Sequence, residues 1–183
     1  ITIWHKEAFQ EHQNSQMLNL GVYVGIMLTA IFAFVALFAF TRELSPLLNA
    51  GFIFSLAMIC LTLSGYNFHY VWPNHPILQQ HAVYIFACLA IMFSALQATQ
   101  TLSHLFQSEP LTKLFNVIAA IAALLIPITL YLSYQYGIYL ITAISIVICV
   151  SHLYIGWINW REGMHEHQEF NIGLLALFVS LIL

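Results

Sequence analysis

Residues 20–40 of the chain, LGVYVGIMLTAIFAFVALFAF, contain no charged side chain. An α-helix rises about 1.5 Å per residue and needs about 20 apolar residues to cross the hydrocarbon core of a bilayer, so this run is long enough to span it. Residues 30–40 are apolar on every side, as are residues 117–125 further along. A strand of a membrane β-barrel would instead alternate apolar and polar residues. We therefore predict transmembrane α-helices rather than a barrel.

The composition of the whole chain agrees with that of this run. Of its 183 residues, 61% are hydrophobic and 6% are charged, whereas an average soluble domain carries about 25% charged residues. Four basic residues against seven acidic ones do not provide the basic surface of a nucleic-acid binder, so we expect no nucleic-acid partner. The composition excludes a soluble globule and a disordered chain, and it indicates a polytopic membrane protein with the lipid bilayer as its surroundings.

The few charged residues divide the chain into spans. The charge-free runs are residues 12–41, 44–108, 114–160 and 170–183. By length the first holds one span, the second and third hold two each, and the last begins another. Pro73 and Pro76 break the second run, and the polar and aromatic residues 131–139 around Gly137 predict a turn in the third. The predicted fold is an all-α transmembrane bundle of five complete spans and a truncated sixth: residues 20–40, 47–66, 78–106, 114–132, 138–160 and 170 onward.

The basic residues predict the orientation of these spans. Arg42, Lys113 and Arg161 fall in three predicted loops on one side, residues 41–46, 107–113 and 161–169, and Lys6 falls on the other. Cytoplasmic loops carry an excess of Lys and Arg. We therefore expect these three loops in the cytoplasm and the N-terminus outside. The first residues show no signal peptide, and the last run stops inside a span, so we expect a fragment of a longer protein.

Cysteines and histidines are the residues that could bind a metal or a haem. Cys60, Cys88 and Cys149 lie inside predicted spans, where apolar burial keeps thiols inert, and their spacing matches no disulfide framework or metal site. His69, His75 and His81 are spaced by six residues, which fits neither one helix face nor a zinc motif. His104 and His152 form a weak candidate pair of haem ligands. We predict structural or interfacial roles for the nine histidines and no metal or cofactor.

Catalysis requires residues that the spans lack. The chain has no aspartate, and none of its glutamates lies inside a predicted span. Acid–base pairs and proton relays are therefore missing, and neither Ser64 nor the Ser151-His152 pair has a third partner for a catalytic triad. We find no internal repeat of the kind transporters carry, and we interpret Pro127 as a tolerated kink. We predict that the chain is not an enzyme.

Gly21 and Gly25 form a GxxxG pattern at the start of the first span. Small residues at this spacing let two helices approach closely. We predict a helix-packing role for this pair, with packing inside the bundle favoured over contact with a second copy in a homodimer, which stays open.

Three segments carry a family resemblance: GVYVG at residues 21–25, LSGYNFHYVWP at residues 63–73 and TLSHLF at residues 101–106. With the order of the spans, they resemble the membrane region of bacterial seven-transmembrane receptors with diverse intracellular signalling modules. The resemblance covers nearly the whole chain, and the aromatic element ending in Trp72-Pro73 is its most distinctive part. It implies seven spans, of which this chain would hold five and part of a sixth.

The resemblance implies a signal-relay module in the bacterial inner membrane. An extracytoplasmic sensor domain would precede the first span, and a cytoplasmic output module, a diguanylate cyclase or a histidine kinase, would follow the seventh. Both would be partners from the same parent chain, and neither is in this sequence. Residues 1–16 would then be the linker from the sensor domain, and residues 17–183 the transmembrane bundle.

The segment most exposed to a sensor domain would be the loop of residues 68–76. We expect Phe68, Tyr70, Trp72 and Pro73 to form a signal-coupling loop beneath that domain, although an interfacial anchor is an equally good interpretation. The alternative function is a small transporter, or a haem- or metal-binding membrane protein that uses its histidines.

Overall fold

The computed structural model describes residues 6–67, 71, 73, 76–105, 109–129 and 134–161. Its regular structure consists of five helices, and the described residues contain no strand. The helices are α1 (Lys6–Thr41), α2 (Leu44–Leu63), α3 (Pro76–Leu105), α4 (Glu109–Thr129) and α5 (Tyr134–Arg161). Each contains a segment long and apolar enough to cross a membrane. The predicted all-α bundle of five spans is therefore confirmed, and the predicted sixth span lies outside the described residues.

Several helix ends differ from the predicted ones. α4 begins at Glu109 and places Lys113 on the helix, where the sequence predicted a loop. Pro110 explains the early start, because its fixed φ suits the first turn of a helix and its missing N–H has no partner there. α1 begins at Lys6, so residues 6–16 of the predicted linker are helical.

The turn predicted over residues 131–139 is wrong from residue 134 onward, and residues 131–133 lie outside the described residues. α5 begins at Tyr134, and Gly137 lies buried in its first turn. A Cβ built on Gly137 would stand 3.3 Å from the Tyr84 ring of α3. The glycine therefore marks a close helix–helix approach.

α1 and α2 are joined by a very short turn. Arg42 adopts a left-handed backbone conformation with φ 59°, and its N–H donates to the carbonyl of Phe38 at 2.8 Å. Only glycine adopts this conformation without steric cost, so the turn carries backbone strain at Arg42. The strain is the cost of reversing the chain in two residues between antiparallel helices.

α3 is the central helix of the bundle. It packs against α2, α4 and α5, while α1 packs against α2. Apolar side chains fill both faces of α3. The contact with α2 contains Phe52, Leu56, Ile59 and Ala90, and the contact with α4 and α5 contains Ile91, Ala95, Ala98, Phe115, Ile118, Ala119, Ala122 and Ile148. A displacement of α3 would therefore reach three neighbouring helices.

α1 lies at the edge of the described bundle. Only 6% of its membrane-spanning segment is buried, against 50% for the corresponding segments of α2 and α3. Large apolar side chains such as Val22, Ile26 and Phe32 are exposed along it. This surface suits contact with lipid tails.

Candidate signal-coupling site

The residues on both sides of the predicted coupling loop are fixed to one residue at the end of α2, Thr62. Asn67 precedes the loop, and its side-chain amide donates to Thr62 Oγ1 at 2.7 Å and to the Met58 carbonyl at 3.2 Å. Gln79 follows the loop on α3, and its Nε2 donates to the Thr62 carbonyl at 2.9 Å. We call Thr62, Asn67 and Gln79 the loop clamp.

The loop clamp is built from buried polar groups. Asn67 is 1% exposed and Thr62 is 3% exposed. The Thr62 hydroxyl donates to the Met58 carbonyl at 2.6 Å while it accepts the Asn67 amide. Inside an apolar bundle an unpaired polar group costs about 1–3 kcal/mol, so each of these groups holds its partner in place. The clamp therefore fixes the distance between the end of α2 and the start of α3.

The backbone turns at Gly65 so that Asn67 can reach back to the helix. α2 ends at Leu63, and Gly65 follows with φ 77°. The Gly65 N–H donates to the Thr62 carbonyl at 3.1 Å. A left-handed glycine just past a helix end is the common way to satisfy the last carbonyls. The Ser64-Gly65 step in the aromatic element of the sequence is thus a helix C-terminal cap.

Of the four residues predicted to form the coupling loop, Pro73 is described, and it is exposed. Phe68, Tyr70 and Trp72 lie outside the described residues. The structure thus shows how the loop is anchored and leaves its contacts as a prediction. The side chains of the loop clamp are two neutral amides and one hydroxyl. Such groups suit the mechanical support of the loop.

A second polar contact joins α3 to α5 within their membrane-spanning segments. His152 Nε2 lies 3.3 Å from Ser94 Oγ, and His152 Nδ1 lies 2.9 Å from the Ile148 carbonyl of its own helix. The Phe115 ring of α4 meets the imidazole edge to face at 5.8 Å between centroids. His152 is 8% exposed and Ser94 is 2% exposed. The predicted structural role of this histidine fits these contacts.

The histidines and cysteines of the described ranges show no arrangement for a metal. No three His, Cys, Asp or Glu residues in those ranges lie together so that they could hold an ion. Both ring nitrogens of His152 have protein partners, and the side chain of His104, the other member of the weak candidate haem pair, lies outside the described residues. Cys60, Cys88 and Cys149 are free thiols, and the Cys60 Sγ lies 3.3 Å from the Tyr23 hydroxyl of α1.

Gly21 and Gly25 lie on the exposed side of α1. A Cβ built on either glycine would meet no atom within 4 Å. The described part of the bundle thus offers the pair no packing partner, and its role in helix packing stays a prediction. Gly51 of α2, like Gly137 of α5, is a glycine against which a neighbouring helix packs, because its Cβ would stand 2.8 Å from the Phe93 ring of α3.

The residues of the loop clamp were not predicted from the sequence. Thr62, Asn67 and Gln79 are uncharged and common, and only their placement identifies them. A signal was nevertheless present, because amides that flank a proline break inside a charge-free run must find partners when they are buried. The same reasoning applies to the buried Ser94.

Comparison with known proteins agrees with the transmembrane bundle. The family model described as 7TM diverse intracellular signalling matches residues 16–183. No curated protein and no solved structure matches the chain significantly. The match covers all five described spans and the loop clamp. The chain is thus an integral membrane module of receptor signalling, and it belongs to the 7TM diverse intracellular signalling family.

Proposed function

We propose that the bundle relays a signal from an extracytoplasmic sensor domain to a cytoplasmic output module of the same parent chain, a diguanylate cyclase or a histidine kinase. The N-terminus and the 68–76 loop would face outward across a bacterial inner membrane. The distribution of basic residues supports this orientation, since Arg42, Lys113 and Arg161 fall on one side and Lys6 on the other.

The loop clamp is the observation that carries the proposal. Thr62 accepts hydrogen bonds from residues on both sides of the loop, so a force on the loop would reach the end of α2 and the start of α3 together. α3 in turn contacts α4 and α5. This arrangement suits a bundle with two packings, between which a ligand outside would shift the population.

The relay is tested by the effect of the sensor domain on the output. We compare membranes that hold the full-length parent with membranes that hold the parent without its sensor domain, and we measure product formed per molecule of protein. Deletion of the sensor domain should change the output of the natural bundle. The Thr62→Val variant should reduce that change, because valine keeps the shape and loses both hydroxyl hydrogen bonds.

Thr29→Val is the matched control for this experiment. Thr29 is exposed on α1, and its hydroxyl donates to the Gly25 carbonyl of the same helix at 2.8 Å. The same substitution there should leave the sensor-dependent change intact. An equal sensor-dependent change in the natural, Thr62→Val and Thr29→Val proteins would contradict the role of the clamp.

The orientation has a test of its own. In a chain whose three cysteines are replaced by alanine, single cysteines at Pro73 and at Glu43 are treated with a membrane-impermeant maleimide in intact cells. We expect labelling at position 73 and protection at position 43, because both residues are exposed and lie at opposite ends of α2. The reverse pattern would place the loop in the cytoplasm and would overturn the proposed direction of signalling.

A further inference from the structure

Among the residues that the structure describes, α5 meets the rest of the bundle along one line of residues. Gly137, Ile141, Ile144, Ile148 and His152 are buried or half-buried and recur on that line every three or four positions, and the half-buried Ser145 and Cys149 lie beside them. The other described residues bury only 19% of the α5 spanning segment. A helix held along a single line can roll about its axis with little loss of apolar contact, because lipid tails are as apolar as the side chains they replace.

The two ends of this line differ in kind. At one end Gly137 allows the backbone of α5 to lie against the Tyr84 ring. At the other end His152 lies within hydrogen-bond distance of Ser94. A backbone-to-ring contact has no directional preference, whereas a hydrogen bond weakens steeply when its angle changes. The Ser94–His152 contact therefore limits the roll of α5.

The partners of His152 determine which group donates. The Ile148 carbonyl can only accept, so Nδ1 of the imidazole carries the hydrogen in that bond. In the neutral ring Nε2 is then an acceptor, and the Ser94 hydroxyl donates to it. All the hydrogen-bonding groups of the ring are satisfied only while α5 keeps this roll. Phe115 of α4 closes the third side of the imidazole.

We propose that the Ser94–His152 contact is a conformational latch that fixes the roll of α5 against α3, and that its release is the step by which the bundle changes its output state. α5 ends at Arg161, the first residue of the predicted cytoplasmic loop, residues 161–169. A roll of α5 would therefore appear on that side. This inference rests on the proposed relay function. It adds which contact, Ser94–His152, holds the bundle in one of its two packings.

The latch is tested with Ser94→Ala, His152→Phe and the double variant in the full-length parent, again with and without its sensor domain. Phenylalanine keeps a ring of similar shape beside Phe115 and removes both nitrogens. We expect each single variant to give the same output with and without the sensor domain. The double variant should resemble the single variants, since all three break one contact.

A stability measurement separates the latch from general packing. Unfolding of the purified chain in lipid should show a coupling between positions 94 and 152, because a hydrogen bond between membrane helices changes the folding equilibrium by about threefold. Ser94→Thr, which keeps the hydroxyl, should preserve sensor dependence. Ser55→Ala is the matched control, since the buried Ser55 hydroxyl donates to the Gly51 carbonyl within its own helix at 2.8 Å.

The outcomes distinguish the two proposals. If the natural parent gives the same output with and without its sensor domain, the relay function fails. If the natural parent responds and the Ser94→Ala and His152→Phe variants respond equally, the relay stands and the latch is refuted. If the two positions show no coupling in unfolding, the contact does not hold the helices together and the latch is likewise refuted.

Discussion

Substitution of Gly51 by alanine should push α2 away from α3. The added Cβ would stand 2.8 to 2.9 Å from three atoms of the Phe93 ring. Carbon atoms pack at about 3.5–4.0 Å, so the helices must separate by about 0.7 Å or the ring must move. Such overpacking lowers the free energy of unfolding by about 1–3 kcal/mol, and the higher helix propensity of alanine offsets about 1 kcal/mol of that loss. We expect a net loss of about 1 kcal/mol in the free energy of unfolding.

The sign of this effect should depend on Phe93. In a Phe93→Leu background the ring atoms that meet the new Cβ are gone, so Gly51→Ala should stabilise the protein by up to about 1 kcal/mol. Gly25→Ala is the control on α1, because a Cβ there meets nothing within 4 Å and should stabilise the chain in either background. The assay is equilibrium unfolding of the purified chain in lipid nanodiscs, followed by helical circular dichroism. Equal effects of Gly51→Ala and Gly25→Ala in the natural background would refute the close approach of α2 and α3.

Three further substitutions test the turns and the clamp by the same unfolding assay. Arg42→Gly should stabilise the chain by about 0.5–1 kcal/mol. A left-handed backbone conformation costs a non-glycine residue about 1–2 kcal/mol, and the greater flexibility of unfolded glycine offsets part of the stability gained by removing that cost. A loss of stability would show that the turn carries no strain. Gly65→Ala should destabilise it by about 1 kcal/mol, since alanine adopts φ 77° poorly, and an unchanged unfolding curve would argue against the cap. Thr62→Val should cost about 1–2 kcal/mol through the loss of two hydrogen bonds, and Thr29→Val, whose hydroxyl is exposed, should cost less.

The spans could be predicted from the sequence because hydropathy is a property summed over many residues. One misplaced boundary changes little in a sum of about 20 residues. Gly137 is a residue at which the sequence predicted the wrong local structure. In a sequence a glycine among polar and aromatic residues indicates a turn, but this one lies against Tyr84, a residue far away in the chain. A contact between single residues of two helices leaves no recognisable pattern in the sequence around either residue.

The candidate site was predictable only as a region. The prolines and aromatics of residues 68–76 indicated the loop, and the residues that hold it, Thr62, Asn67 and Gln79, lie just outside that segment. Their hydrogen bonds join positions that only folding brings together. Gly21 and Gly25 show the opposite case, a recognisable motif that faces no described neighbour. A motif identifies a surface suited to close packing, and the fold decides whether another helix meets it.

The unbroken course of α1 has a mechanical consequence. Its 36 residues make a rod about 54 Å long, and the segment from Lys6 to the start of the span at Leu20 accounts for about 21 Å of that length. A rod of this kind transmits torque, whereas a flexible tether would absorb it. One residue inserted near position 12 would rotate the preceding part of the chain by about 100° about the axis of α1. Seven inserted residues would leave that part within about 20° of its original orientation. Receptor output should therefore vary with the angular phase of α1, and lengthening the rod by a whole heptad should disturb it least.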